Sequence, residues 1–173
     1  GYAVHLVIVG RGLDESHREL CAAVRESDLG AHVSLLGERT DIPALVAGFD
    51  VAALSSAWGE GFPNVLGEAM ASGVPCVATD VGDCSWVLGP HGIIVPPRQS
   101  EALANALAKL IDLGPDARHQ LGVAGRARIL QHFSLQEVVR QYEALYLRVS
   151  ASHAARRPWR EEVVTGVRHR RAA

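Results

Sequence analysis

From Val51 to Gly82 the chain reads VAALSSAWGEGFPNVLGEAMASGVPCVATDVG, and no other stretch restricts its fold as strongly. Val51 to Leu54 is a short apolar run, the length of a buried parallel strand. Ser55 to Phe62 is small, polar and glycine-containing, so the chain turns there. Pro63 suits the first turn of a helix, where its missing N–H costs nothing. Leu66, Ala69 and Met70 fall on one helical face, and Gly73 stops the helix. Pro75 enters the next apolar run, Cys76 to Ala78, and Thr79, Asp80 and Gly82 follow it. Two carboxylates, Glu60 and Glu68, bracket the loop-to-helix junction, and function is predicted there.

The rest of the chain repeats the alternation. Val4 to Val9 is strand-like, Gly10-Arg11-Gly12 turns, and Asp14 is expected to cap a helix to about Asp28 with Leu20, Ala23 and Val24 inward. The two glycines do not make a dinucleotide fingerprint, because Glu15 stands where the third would be and no acid closes the next strand, Val33 to Leu36. Asp41 is expected to cap a short helix, Ile42 to Phe49. Cys84 to Leu88 allows one helical turn, and Ile93 to Val95 is a strand closed by Pro96-Pro97. Ser100 is expected to cap a helix through Leu113, and Gly114-Pro115 restarts the chain into another ending near Gln131. Ser134-Leu-Gln-Glu137 is a capping box that opens a last helix with Val138, Tyr142, Leu145 and Tyr146 at helical spacing. Strands alternating with helices predict a parallel sheet with right-handed crossovers, and residues 1–149 are expected to form one Rossmann-like α/β domain with a doubly wound parallel sheet and terminal helices. Residues 150–173 turn Arg-rich and are expected to be a surface tail.

Composition excludes several classes. A net charge of −2 over 173 residues demands no nucleic acid partner. No apolar run reaches the length of a membrane span. Cys21, Cys76 and Cys84 are odd in number and lack metal-ligand spacing, which reads as reduced thiols in a cytosolic protein. The chain opens at Gly1 and enters a strand almost at once, which suggests a piece of a longer protein.

In parallel α/β sheets, ligands bind at the carboxyl ends of the strands. Gly37 to Thr40, Ser55-Ser56 and Thr79-Asp80 are three such ends, expected along one sheet edge. That edge receives the amino end of the helix after Pro63, whose N–H groups at Asn64 and Val65 would face an anion. Gly59 and Gly61 permit close backbone approach. A phosphate-bearing, nucleotide-like ligand is predicted there.

The string EGFPNVLGEAMASGVPCVATDVG resembles the signature of the retaining glycosyltransferases of family 4, which have the GT-B fold. The likeness extends through HLVIVGRG, LLGERTDIPAL, GIIVPP, EALANALAKLI and FSLQEVVRQYEALY, and ends near Val149. Glu60 and Glu68, with seven residues between them, match the diagnostic acidic pair. The resemblance implies that this chain is the carboxy-terminal, donor-binding half of such an enzyme, taking a UDP-, GDP- or ADP-linked sugar. Glu68 would accept hydrogen bonds from the ribose hydroxyls, and Glu60 would hold the donor sugar for transfer. Gly61, Phe62, Asn64 and Val65 would line phosphates and sugar, Arg39 and Thr40 would lie beside the base, and Thr79 and Asp80 would end a strand near the donor. Trp58 would shield the pocket or pack under the loop.

No cofactor and no metal are expected. The acidic pair would not act as a glycosidase pair, since in the resembled family retention is ascribed to front-face displacement, the leaving diphosphate taking the acceptor's proton. The glycan or lipid-linked acceptor would bind an amino-terminal domain absent from this chain. So would be a family Arg and Lys that precede the strand at Val4, and the fragment alone is expected to be inactive. A cytoplasmic setting is expected, with attachment to the inner membrane face left open. The family commonly has two glycines and a glutamate after the strand ending at Asp80; here Gly82 precedes Asp83, and Trp86 stands where the glutamate would be. A non-catalytic nucleotide-binding module, and another GT-B enzyme such as a sugar-nucleotide epimerase, are the alternatives.

Overall fold

Cys76, Val77, Ala78 and Thr79 are all buried, and the rest of the larger sheet is built around them. A strand with both faces covered must be apolar on both, which this run is, Thr79 excepted. The computed structural model describes residues 2–27 and 29–156. In order it runs β1 (Leu6–Ile8), α1 (Arg18–Glu26), β2 (Val33–Leu35), α2 (Ile42–Val46), β3 (Ala52–Leu54), α3 (Asn64–Ala71), β4 (Cys76–Thr79), α4 (Cys84–Leu88), β5 (Gly92–Val95), α5 (Ser100–Asp112), α6 (Gly114–His132) and α7 (Leu135–Arg156). The fold is a Rossmann-like α/β arrangement in which every strand pair is parallel.

The strands fall into two sheets, β1–β2 and β3–β4–β5. In the larger one Leu54 pairs with Ala78 and Ala78 with Ile94, so the carboxyl ends of three strands come level. β2 pairs with β1 in the other sheet, so hydrogen-bonded pairing brings level only the ends of β3, β4 and β5. Among the described residues β1 pairs with β2 and β3 with β4, and Leu6 on β1 stays 51% exposed.

Val77 and Val95 pack with Ala106 and Leu110 of α5, joined at the margin by Val51, Ile93 and Leu107. α3 buries Leu66, Ala69 and Met70 as its spacing predicts, and α4 buries Cys84, Val87 and Leu88. α6 meets these helices through glycine. A Cβ on Gly122 would collide with the Gly73 carbonyl just past α3, so only glycine lets α6 lie that close. Arg126 donates to the Ala71 carbonyl at the same helix end. α6 thereby satisfies a carbonyl of the kind that a helix terminus leaves without an intrahelical partner.

Local chemistry differs from the sequence reading at the caps. Asp14 does not cap α1; its carboxylate takes the N–H of Ser16 at 2.9 Å and the hydroxyl of Ser16, and His17 caps instead, Nδ1 accepting from Leu20 N at 3.1 Å. Leu20 and Val24 are half-buried, whereas Ala23 is exposed. Asp41 precedes α2 without a side-chain cap because Arg39 holds its carboxylate. Ser100 is the first residue of α5 and Gln99 the cap position, with no side-chain bond.

The chain divides after Ile129. In the second unit, Ser134 Oγ accepts from Glu137 N at 3.4 Å, one half of the expected capping box. The Glu137 carboxylate turns instead to Arg140 and Gln141. α7 continues to Arg156, past residue 149 where the sequence turns Arg-rich. No glycine or proline lies between Val149 and Arg156, so nothing there stops a helix. The remainder of the Arg-rich tail, residues 157–173, lies outside the described residues. Among the described residues no helix is long and apolar enough to cross a membrane.

Candidate functional site

Beyond Leu54 the chain leaves β3 and makes the loop that carries Glu60. Gly59 sits at φ 84°, a left-handed conformation that glycine adopts without steric cost. Glu60 is half-buried, and Oε1 accepts a hydrogen bond of 2.5 Å from the Ser56 hydroxyl. Ser56 is itself anchored: its carbonyl accepts from Thr79 Oγ1 at 2.6 Å. Thr79 is 3% exposed, and a buried hydroxyl must find a partner.

The loop after β4 closes on the same segment. The N–H of Asp83 donates to the Gly61 carbonyl at 3.2 Å. Gly82, at φ 55°, lies against the Glu60 backbone so closely that a Cβ would collide with its carbonyl. Both strand-end loops are thus fastened together around Glu60.

Pro63 takes the cap position of α3, one residue earlier than expected, and offers no side-chain cap. The amides of Leu66 and Gly67 turn back to its carbonyl at 3.0 and 3.2 Å. The N–H groups of Asn64 and Val65 precede those bonds at the positive end of the helix dipole, where an anion is favoured by about 0.3–1 kcal/mol. Asn64, Val65 and Glu68 are exposed and share the face opposite the buried Leu66, Ala69 and Met70.

Phe62 is 41% exposed and is not a core residue. Its ring lies over Gly67, where an added Cβ would come within 3.5 Å, and meets Trp86 edge-on with centroids 6.4 Å apart. Trp86, unexpected beside the loop, therefore ties α4 to the junction. Trp58 is 73% exposed and does not pack under the loop. Arg128 of α6 fixes α4, its Nε donating to the Val87 carbonyl at 2.9 Å and its second amine to that of Trp86 at 2.5 Å.

The structure brings together Glu60, Gly61, Phe62, Asn64, Val65 and Glu68 on one loop and helix, with Asp80 exposed at the adjoining end of β4. Asp80 holds its place through its N–H, which donates to the Val95 carbonyl at 2.8 Å. Arg39 and Thr40 stand on the loop after β2, in the other sheet. Arg39 makes a two-pronged ion pair with Asp41, at 2.8 and 2.5 Å, which holds the Asp41 carboxyl below its usual range. Sequence reasoning missed the joint action of Ser56, Thr79 and Gly82. The signal available was a hydroxyl residue at each of two strand ends, Ser55-Ser56 just after β3 and Thr79 closing β4.

This Rossmann-like α/β fold, with two strand-end loops and the start of α3 gathered beside two carboxylates, is that of one half of a GT-B glycosyltransferase, as its solved structural neighbours show. The chain belongs to the glycosyl transferases group 1, whose family model matches residues 1–113. It is 36% identical over 140 residues to the MMP alpha-(1->4)-mannosyltransferase of Mycolicibacterium hassiacum, covering 79% of this chain and 33% of that protein. It is 35% identical over 153 residues to the phosphatidyl-myo-inositol mannosyltransferase of Mycobacterium leprae, covering 86% of this chain and 39% of that one. Among solved structures it resembles HepE of Anabaena in complex with UDP-glucose, at 28% identity and a TM-score of 0.75 over 84% of this chain and 42% of HepE. The chain thus spans well under half the length of these relatives.

Proposed function

We propose that this chain is the donor-binding half of a retaining, family-4-type glycosyltransferase that moves a hexose-type sugar from a nucleotide sugar to a glycan or lipid-linked acceptor. The observation that carries the reading is the junction itself: Glu60, Glu68 and the uncapped start of α3 share one short segment. Diphosphate oxygens would face the amides of Asn64 and Val65, with Gly61 and Phe62 beside them. Glu68 would accept from the ribose hydroxyls and Glu60 from those of the sugar. Asp80 closes the donor side, and Arg39 and Thr40 flank the base. HepE, a neighbour by fold, has been solved with UDP-glucose, which supports a nucleotide sugar as ligand.

The chemistry in this reading is positioning and charge stabilisation without a covalent enzyme intermediate. The leaving diphosphate takes the acceptor's proton, and no metal is needed. The acceptor binds outside this chain, so the chain alone binds donor without transferring sugar. We place the protein in the cytoplasm, where its three free cysteines stay reduced.

A thermal-shift panel with UDP, GDP, ADP and sulfate tests the reading. A nucleotide at about one hundred times its Kd stabilises a fold by about 2.7 kcal/mol, a readable shift. One nucleotide should raise the melting temperature, with or without EDTA. No shift with any of the four contradicts the proposal.

A further inference from the structure

We propose that Ser56 and Thr79 are positioning residues that aim the Glu60 carboxylate at the donor's sugar. They would thereby set how much affinity the sugar adds to that of the nucleotide. The inference rests on the donor-binding reading of the junction and gives Ser56 and Thr79, which that reading places only at strand ends near the donor, a positioning role.

Three observations carry it. Thr79 is the one buried polar or charged residue among the described residues, on a strand whose other members are apolar. A valine would fill that volume, so the hydroxyl has a purpose other than packing. The hydroxyl donates to the Ser56 carbonyl at 2.6 Å, across from β4 to the loop beyond β3. The Ser56 hydroxyl then donates to Glu60 Oε1 at 2.5 Å. A hydrogen bond to a carboxylate is stronger than one between neutral groups, and it fixes one oxygen in space.

The two bonds form a relay in series. Thr79 sits buried in a packed strand, its hydroxyl holds the Ser56 carbonyl, and the Ser56 hydroxyl holds Glu60. A glutamate on a glycine-flanked loop would otherwise sample several rotamers, and ordering it on binding would cost affinity. The relay bears on the sugar rather than the nucleotide, because neither residue touches α3, Glu68 or the amides of Asn64 and Val65 through any hydrogen bond among the described residues.

The test compares dissociation constants of the full 173-residue chain for two probe pairs, UDP with UDP-glucose and GDP with GDP-mannose. The quantity read is the ratio of nucleotide to nucleotide-sugar Kd for the pair that binds. Ser56→Ala is expected to leave the nucleotide Kd within about twofold and to reduce that ratio about tenfold, the scale of a lost charge-assisted hydrogen bond. Thr79→Val, close in shape, is expected to do the same, and Ser56→Thr is expected to restore the ratio. Far-UV circular dichroism and melting temperature confirm that each variant is folded.

A parallel loss of nucleotide and nucleotide-sugar affinity would show a merely structural role and overturn the proposal. So would an unchanged ratio in folded Ser56→Ala. If the unaltered chain bound neither pair, the donor-binding reading itself would fail and the relay with it, an outcome distinct from the other two.

Discussion

Gly82 and Glu60 approach so closely that the α-carbon of the one leaves no room for a side chain beside the carbonyl of the other. Two separate loops meet at that contact, joined also by the hydrogen bond from Asp83 N to the Gly61 carbonyl. Gly82 also has φ 55°, which an L-residue with a side chain adopts only at a cost of about 1–2 kcal/mol. Gly82→Ala is therefore expected to destabilise the chain by about 2 kcal/mol or more, measured by urea unfolding. It should also weaken nucleotide-sugar binding by at least about tenfold, because the Glu60 backbone must shift. A variant with unchanged stability and affinity would contradict this geometry.

Arg128 donates to the carbonyls of Trp86 and Val87, and an added Cβ on Gly89 would strike its guanidinium. Arg128→Ala removes a charged donor from two carbonyls at the end of α4. The expected loss is about 1.5–3 kcal/mol by urea unfolding. Trp86 fluorescence should report a local change at the Phe62 contact. Arg128→Lys should recover only part of the loss, since an ammonium cannot span both carbonyls with the planar fork of Arg.

The cysteines differ in burial. Burial pushes the Cys76 thiol up to about 12, and it raises Cys84 as well, with the charges of Glu60 and Asp80 adding to the effect. The nucleophile is the thiolate, so both should be silent to Ellman's reagent at pH 8 in the native chain. The half-exposed Cys21 should react alone, and all three should react after denaturation. Native reaction of three thiols would contradict the packing of β4 and α4.

Glu137 is held down to about 2 by the Arg140 guanidinium and the Gln141 amide. A folded value below the ordinary 4.5 means the charged form favours the helix. That contribution is complete above pH 4.5 and is lost as pH falls towards 2. An NMR titration should place the Glu137 carboxyl near the bottom of that window, and Arg140→Ala should return it towards 4.5. An ordinary midpoint in the unaltered chain would contradict the pairing.

Much of the fold was legible because its signals are local. The apolar runs that became β3, β4 and β5, the face of Leu66, Ala69 and Met70, and the break at Gly114 are all readable over a few neighbours. The carboxylate pair was legible because Glu60 and Glu68 share one segment with α3. The division of the strands into two sheets was not, since pairing depends on partners distant in sequence. The caps of α1 and α2 went astray because Asp14 and Asp41 had nearer partners in Ser16 and Arg39. The relay from Thr79 through Ser56 to Glu60 joins residues up to 23 apart, and a sequence does not show which carbonyl a buried hydroxyl will meet. Trp86 meeting Phe62 has the same origin.

In the donor-binding reading, two carboxylates on one junction divide a nucleotide sugar between them. Titration calorimetry on this chain, Glu68→Ala and Glu60→Ala, with a nucleoside diphosphate and its sugar derivative, tests it most directly. Glu68→Ala should weaken both ligands together by about tenfold or more, as loss of contacts to the nucleotide requires. Glu60→Ala should leave the nucleoside diphosphate within about twofold and erase the added affinity of the sugar. If both variants bind both ligands as the unaltered chain does, the junction is not the donor site.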